Sequence, residues 1–127
     1  MSIVPAYSVL FALLFVVLSV LTIKARRGAK VALGTGRGKI LERAVRVHAN
    51  FAEYVPFTLL LLSFAELRGG HPLLIHALCA VFLLGRLLHA WGVSQVEENF
   101  TFRVSGMMMT FGTIIATALT LVVSYLA

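Results

Sequence analysis

The chain has 127 residues, of which 60% are hydrophobic and only 13% are charged. A soluble domain of this length has too little interior to bury so many apolar side chains, so the composition excludes an ordinary soluble protein and indicates an integral membrane protein. The formal net charge is +6, but the basic residues are concentrated between apolar segments. That distribution is typical of membrane topology rather than of nucleic-acid binding, and no nucleic-acid partner is expected.

Four apolar segments follow one another along the chain, over residues 3–23, 41–67, 73–91 and 105–126. Each is close to the roughly 20 residues that a helix needs to cross a bilayer. Their runs of Leu, Val and Phe lack the alternation of barrel strands. Basic residues follow the first segment rather than precede it, so a retained span is expected rather than a signal peptide. The sequence therefore predicts an all-α integral membrane protein in which residues 1–127 form a single bundle of four transmembrane helices.

The connections between these segments predict an orientation. Residues 24–46 hold 8 of the 11 Lys and Arg residues, whereas the connection at 66–72 holds one. By the positive-inside rule, residues 24–46 and 92–104 are expected in the cytoplasm, with both termini outside.

The second segment carries a polar stripe. On a helix, five of its side chains fall within an arc of roughly 100°: Arg43, Arg46, Asn50, Glu53 and Tyr54. Charges in a membrane segment persist mainly where they face a protein interior or water, and an arginine fork suits a carboxylate whereas Glu53 suits an ammonium. The stripe predicts a site for a small zwitterion such as a peptide. The alternative is an internal salt-bridge network among Glu42, Arg46, Asn50 and Glu53.

Two further patterns lie in the third and fourth segments. Arg86 and His89 are three residues apart on one helix face; alone they would indicate a snorkelling arginine and a packed histidine, but beside the stripe they indicate a shared site. The hydroxyl residues of the fourth segment are expected to pack against neighbouring helices rather than to line a conduction path: Thr110, Thr113, Thr117, Thr120 and Ser124. Cys79 lies in an apolar run and is expected in the core. No motif for a metal is present.

The polar stripe resembles the second-helix signature of the membrane-associated proteins in eicosanoid and glutathione metabolism, on the pattern Glu42-Arg43-x-x-Arg46-x-His48-x-Asn50-x-x-Glu53. Tyr54-x-Pro56, Gly85-Arg86-x-x-His89 and the length are also similar, so the likeness covers nearly the whole chain and is closest to short bacterial members. Val93 departs from the family, which often has Tyr at that position. The resemblance implies a homotrimer in a bacterial inner membrane, with glutathione between protomers toward the cytoplasmic side.

The resemblance also implies roles for individual residues. The polar ends of glutathione would be held by Arg46, Asn50, Glu53 and Tyr54, and the site would be lined or supported by His48, Arg86 and His89. Either Arg26 or Arg27 would contribute from the loop after the first helix. Arg103, at the start of the fourth helix, would lie near the thiol.

The function that these roles imply is a membrane-bound glutathione transferase or peroxidase. Glutathione is the cosubstrate, Arg103 favours its thiolate, and a lipophilic electrophile enters from the bilayer. One alternative is a non-catalytic scaffold that binds lipid or glutathione. The other is a small proton-coupled transporter built on Glu53; the stripe disfavours it because a carboxylate paired with arginine would stay charged.

Overall fold

The computed structural model describes residues 1–127 and contains four α-helices in chain order: α1 (Ile3–Ala29), α2 (Lys39–Leu67), α3 (Pro72–Ser94) and α4 (Phe100–Leu126). The predicted all-helical fold is therefore confirmed. Three of the helices, α1, α3 and α4, are long and apolar enough to cross a membrane. α2 has 29 residues, enough length to cross, but its first half carries the polar stripe.

The helices extend beyond the predicted apolar segments, mostly at the basic end of the bundle. α1 continues past residue 23 to Ala29, α2 begins at Lys39, and α4 begins at Phe100. Lys and Arg are good helix formers, so basic composition does not end a helix. α1 ends where Lys30 adopts the left-handed conformation, with φ of 55°. α4 begins where the side chain of Asn99 accepts a hydrogen bond from the N–H of Phe102.

α2 and α3 each contact the other three helices. Its buried face joins a hydrophobic core in which Phe11 of α1 lies 4.9 Å from Phe82 of α3 and 6.4 Å from Phe51 of α2, measured between ring centroids. Cys79 is fully buried beside them, as expected. The stripe lies next to this buried face, so it is directed partly toward α3 and α4.

α3 and α4 approach each other closely because glycines lie at their crossing. A Cβ atom added to Gly106 would lie 2.5 Å from the carbonyl oxygen of Gly85, and one added to Gly92 would lie 2.7 Å from the backbone nitrogen of Arg103. Small residues allow this kind of contact between membrane helices. The crossing therefore holds the first turn of α4, with Arg103, against the end of α3.

The threonine stripe of α4 packs inside the bundle. Thr110, Thr113 and Thr117 are at most 1% exposed. Each hydroxyl donates to the carbonyl four residues earlier, at 2.7–2.9 Å. Their hydrogen-bonding capacity is thus met mainly within their own helix, which agrees with the predicted packing role.

Both chain ends lie at the end of the bundle that contains the α2–α3 connection. The carboxylate of Glu66 accepts hydrogen bonds at 2.6–2.8 Å from the first backbone N–H groups of the chain, those of Ser2, Ile3 and Val4. Arg68 donates to the carbonyl of Ser124 at 2.6 Å. The basic α1–α2 connection and the α3–α4 connection therefore share the opposite end.

Candidate functional site

A polar pocket of about 310 Å³ lies at the basic end, between the first half of α2 and the α3–α4 connection. It is lined by Lys39, Glu42, Arg43, Arg46, Val93, Glu98 and Arg103. Four cationic and two anionic side chains give the lining a formal charge of +2. A cleft lined by an excess of one sign concentrates ligands of the opposite sign, so this pocket suits an anion.

Glu98 connects two of the three arginines of this pocket. Arg103 donates to a carboxylate oxygen of Glu98 at 2.7 Å, and Arg43 lies 3.7 Å from the same oxygen. Arg43 also donates to the carbonyl of Val93 at 3.3 Å. The start of α4 therefore meets the stripe of α2, so Arg103 and Arg46 line one cavity. No role was predicted for Glu98 from the sequence, although its position five residues before Arg103, across the start of α4, is compatible with an ion pair.

Arg86 lies deep in the bundle, with only 1% of its surface exposed. It donates to the side-chain oxygen of Asn50, to the hydroxyl of Thr110 at 3.3 Å, and to the sulfur of Met107 at 3.7 Å. Its Nε atom has no hydrogen-bond partner, and it forms no salt bridge. A buried cation without a counter-charge is costly, and its field favours an anion nearby. The contact with Thr110 was not foreseen from the sequence.

Tyr54 and His89 flank this guanidinium. The Cζ atom of Arg86 lies 5.9 Å from the ring centroid of Tyr54, and that ring meets Phe111 of α4 edge-on at 5.6 Å. His89 is 3% exposed, one turn from Arg86, and its Nδ1 atom has no partner. The structure thus brings two half-buried residues of the stripe, Asn50 and Tyr54, close to the buried side chain of Arg86, with His89 one turn further along α3.

Arg46 and Glu53 lie on the outward edge of the stripe. Both are exposed, and neither forms a salt bridge within the protomer. The alternative of an internal network among Glu42, Arg46, Asn50 and Glu53 is therefore not formed in this structure, where Asn50 instead accepts from Arg86.

Of the predicted glutathione-site residues, only Arg46 and Arg103 line the polar pocket, and three others lie outside both the pocket and the group around Arg86. His48 faces α1, where its Nε2 atom is 3.0 Å from the hydroxyl of Ser19 and its ring stacks on Phe15 at 5.0 Å. Arg26 donates to the carbonyl of Gly34 at 2.7 Å, and Arg27 is exposed on the last turn of α1. The structure does not bring these side chains to Arg46 or Arg103.

These features define a helical integral membrane protein with a cationic pocket at its basic end and a buried arginine, Arg86, that has no acidic partner. The sequence model of the MAPEG family, the membrane-associated proteins in eicosanoid and glutathione metabolism, matches residues 4–123. The chain therefore belongs to that family. The resemblance found in the second helix is thereby confirmed. The chain is also 36% identical over 105 residues to "Inner membrane protein YecN" of Escherichia coli strain K12, covering 83% of this chain and 79% of that protein. The protein of the same name from Escherichia coli O6:H1 strain CFT073 gives the same values.

Proposed function

We propose that the protein is a membrane-bound, glutathione-dependent transferase or peroxidase that acts on lipophilic electrophiles. The observation that carries this proposal is the convergence of Arg46 and Arg103 in a pocket with two excess positive charges. Glutathione has two carboxylates and one ammonium, so it is an anion that such a pocket attracts. Membership of the family supports a glutathione-related role at the level of the family.

In this proposal the stripe of α2 holds the polar ends of glutathione. Arg46 binds a carboxylate through its planar fork, and Glu53 accepts from the ammonium. Asn50 and Tyr54 line the inner side, where the uncompensated charge of Arg86 attracts the bound anion. His48, His89 and one of Arg26 and Arg27 support the site once the neighbouring protomer is in place.

Arg103 is the proposed catalytic residue. Its cation beside the sulfur favours the thiolate, which is the nucleophilic form. The thiolate donates an electron pair to the electrophilic carbon, a sulfur–carbon bond forms, and the leaving group departs with its bonding pair. The thiol proton passes to solvent. Because Arg103 is paired with Glu98 at 2.7 Å in the protomer, it must exchange that carboxylate for the thiolate.

The proposed assembly is a homotrimer in a bacterial inner membrane, with α2 as the fourth span. A neighbouring protomer would cover the exposed Arg46 and Glu53 and complete the site between subunits. The basic end would face the cytoplasm and both termini the outside, which the excess of Lys and Arg in residues 24–46 supports. The relative from Escherichia coli is named as an inner membrane protein, which supports the proposed location.

The test of this mechanism is Arg103→Ala, with Arg37→Ala as a control that removes the same charge from an exposed loop position. Conjugation of glutathione to chlorodinitrobenzene is measured in detergent, together with the thermal stabilisation that glutathione produces. We expect Arg103→Ala to lose conjugation by about 100-fold, the scale of a lost electrostatic contact to a reacting anion, while glutathione still stabilises it. Turnover equal to that of Arg37→Ala would exclude this role for Arg103.

Binding without turnover is a second candidate, favoured by the Arg103–Glu98 ion pair. If that pair persists in the assembled protein, the cation is neutralised before a thiol reaches it. The variant Glu98→Gln separates the two candidates, with Glu97→Gln as its neighbour outside the pocket. The ultraviolet absorbance of the glutathione thiolate is measured in both variants. A scaffold would bind glutathione without a change in this absorbance, whereas the proposed enzyme would show more thiolate in Glu98→Gln.

The transporter alternative depends on Glu53. Because Glu53 forms no salt bridge within the protomer, the expectation that an arginine holds it charged is not met in the protomer. Flux of glutathione into liposomes that depends on a pH gradient, and that is abolished in Glu53→Gln, would favour transport. We expect no flux that depends on the pH gradient, because in the proposed enzyme Glu53 binds the ammonium of glutathione and does not carry a proton. Glu53→Gln should then weaken glutathione binding.

A further inference from the structure

A second cavity lies on the other side of α2, between the end of α1 and the start of α2, and its volume is about 810 Å³. Its walls are mostly apolar, and two lysines stand among them. The residues that line it are Leu21, Lys24, Ala25, Gly28, Ala29, Gly38, Lys39, Ile40, Leu41 and Val96. We call this cavity the α1–α2 groove. Unlike the polar pocket, it has no acidic side chain in its lining.

The apolar floor of the α1–α2 groove continues toward the membrane interior. A smaller cavity of about 190 Å³ shares Leu21, Ala25 and Ile40 with it and reaches down to Leu18 and Val47. The lysines stand at the end of the bundle where the apolar segments give way to the basic connection. The groove therefore has a cationic mouth and an apolar channel, arranged along the direction of the helices.

This combination matches an anionic phospholipid, which has a phosphate at the membrane surface and an acyl chain below it. Basic pockets between transmembrane helices on the cytoplasmic side commonly bind such headgroups. The backbone N–H groups of Lys39, Ile40 and Leu41 also favour an anion, because α2 has no side-chain cap and these groups form no hydrogen bond within the chain. They add donors to a mouth that is already cationic.

We infer that the α1–α2 groove binds one anionic phospholipid, with its phosphate between Lys24 and Lys39 and an acyl chain along Leu21 and Ile40. The site is distinct from the polar pocket and does not depend on the proposed glutathione chemistry. Lys39 lines both cavities, so Lys24 is the residue that separates them in an experiment.

The headgroup is tested with Lys24→Ala in the full-length protein, delipidated in detergent. Binding of phosphatidylglycerol and phosphatidylcholine is measured by native mass spectrometry. The matched control is Arg27→Ala, which removes a charge from the exposed side of the same helix, outside the groove. We expect phosphatidylglycerol to bind in preference to phosphatidylcholine. Lys24→Ala should weaken its binding about fivefold, the equivalent of the ~1 kcal/mol that one basic residue contributes near anionic lipid.

The acyl chain is tested with Gly28→Leu. A Cβ atom at Gly28 has no neighbour within 4 Å, so the larger side chain can enter the groove without displacing the fold, and leucine also favours the helix. The control is Arg27→Leu, which adds the same side chain at a neighbouring exposed position outside the groove. We expect Gly28→Leu to reduce phosphatidylglycerol binding by at least about tenfold, as loss of a buried acyl segment requires, and Arg27→Leu to leave it unchanged.

Three results would overturn the inference. Equal weakening in Lys24→Ala and Arg27→Ala would show only general attraction to a basic surface. Undiminished binding in Gly28→Leu would place the acyl chain elsewhere. Binding of glycerol phosphate as tight as that of phosphatidylglycerol would assign the groove to a soluble phosphate rather than to a lipid.

Discussion

The buried guanidinium of Arg86 is the most unusual residue in this bundle. It is 1% exposed, lacks a carboxylate partner, and relies on Asn50 as its acceptor from α2. Removing one partner of a buried charged group costs more than removing both, because the remaining charge is left without compensation. Stability is therefore expected to depend on the pair and not on either residue alone.

This expectation is tested with a double-mutant cycle of Asn50→Leu and Arg86→Met. Asn50→Leu alone should lower the free energy of unfolding by about 1–3 kcal/mol, since it leaves a buried donor unsatisfied. Combining it with Arg86→Met should recover most of that loss. Unfolding is followed by helical circular dichroism in a detergent titration. Additive losses in the double variant would show that the two side chains act independently.

At the scale of the helices, the crossing of α3 and α4 positions Arg103, the proposed catalytic residue. Gly85, Gly92 and Gly106 let the two backbones touch, and Gly92 lies directly against the backbone of Arg103. The first turn of α4 therefore has little freedom to shift without disturbing α3. The placement of Arg103 beside the stripe of α2 is a consequence of this packing rather than of its own side-chain contacts.

Gly106→Ala tests the crossing, and Gly112→Ala on the same helix is its matched control. A Cβ at Gly106 would lie 2.5–2.7 Å from α3 atoms, whereas one at Gly112 has no neighbour within 4 Å. We expect Gly106→Ala to destabilise the protein by about 1–3 kcal/mol through overpacking. Gly112→Ala should be neutral or stabilising by up to about 1 kcal/mol, because alanine favours helix. Equal thermal midpoints for the two variants would contradict a tight crossing.

The four helices could be predicted from the sequence, but which side chains of each helix face the interior could not. Periodicity and hydropathy located all four helices, because apolar runs of this length have few alternatives in a membrane. The angular arc placed Arg43 and Arg46 on one side of α2, and both line the polar pocket. It did not show that Asn50 turns inward to Arg86 while Arg46 and Glu53 stay outside, because that division depends on where α3 lies. Nor did it show that His48 faces α1.

At the scale of the whole molecule, the exposed edge of α2 is the feature that supports the proposed homotrimer. Glu42, Arg46 and Glu53 are exposed on a helix that packs against all three others. Lipid is a poor solvent for these charges, so another protein surface is needed to cover those that lie within the bilayer. The proposed homotrimer would provide it without any additional partner.

The assembly is tested by native mass spectrometry of the protein released from mild detergent. The protomer mass is 13.8 kDa, and we expect a species of three protomers. Glu53→Ala should weaken this species, because Glu53 would lose its contact with the neighbouring subunit. The control is Glu97→Ala in the α3–α4 connection, which forms no salt bridge. A monomer in the unaltered protein would contradict the assembly and leave the exposed edge unexplained.

The proposed glutathione site is tested most directly by a glutathione titration of thermal stability, in which Arg46→Ala is compared with Arg37→Ala. A ligand that binds only the folded protein raises its midpoint in a saturable way. We predict saturable stabilisation in the unaltered protein and in Arg37→Ala, and a dissociation constant at least about tenfold weaker in Arg46→Ala, as expected for a lost hydrogen bond to a charged group. Stabilisation that is absent from the unaltered protein, or undiminished in Arg46→Ala, would contradict a glutathione site at the polar pocket.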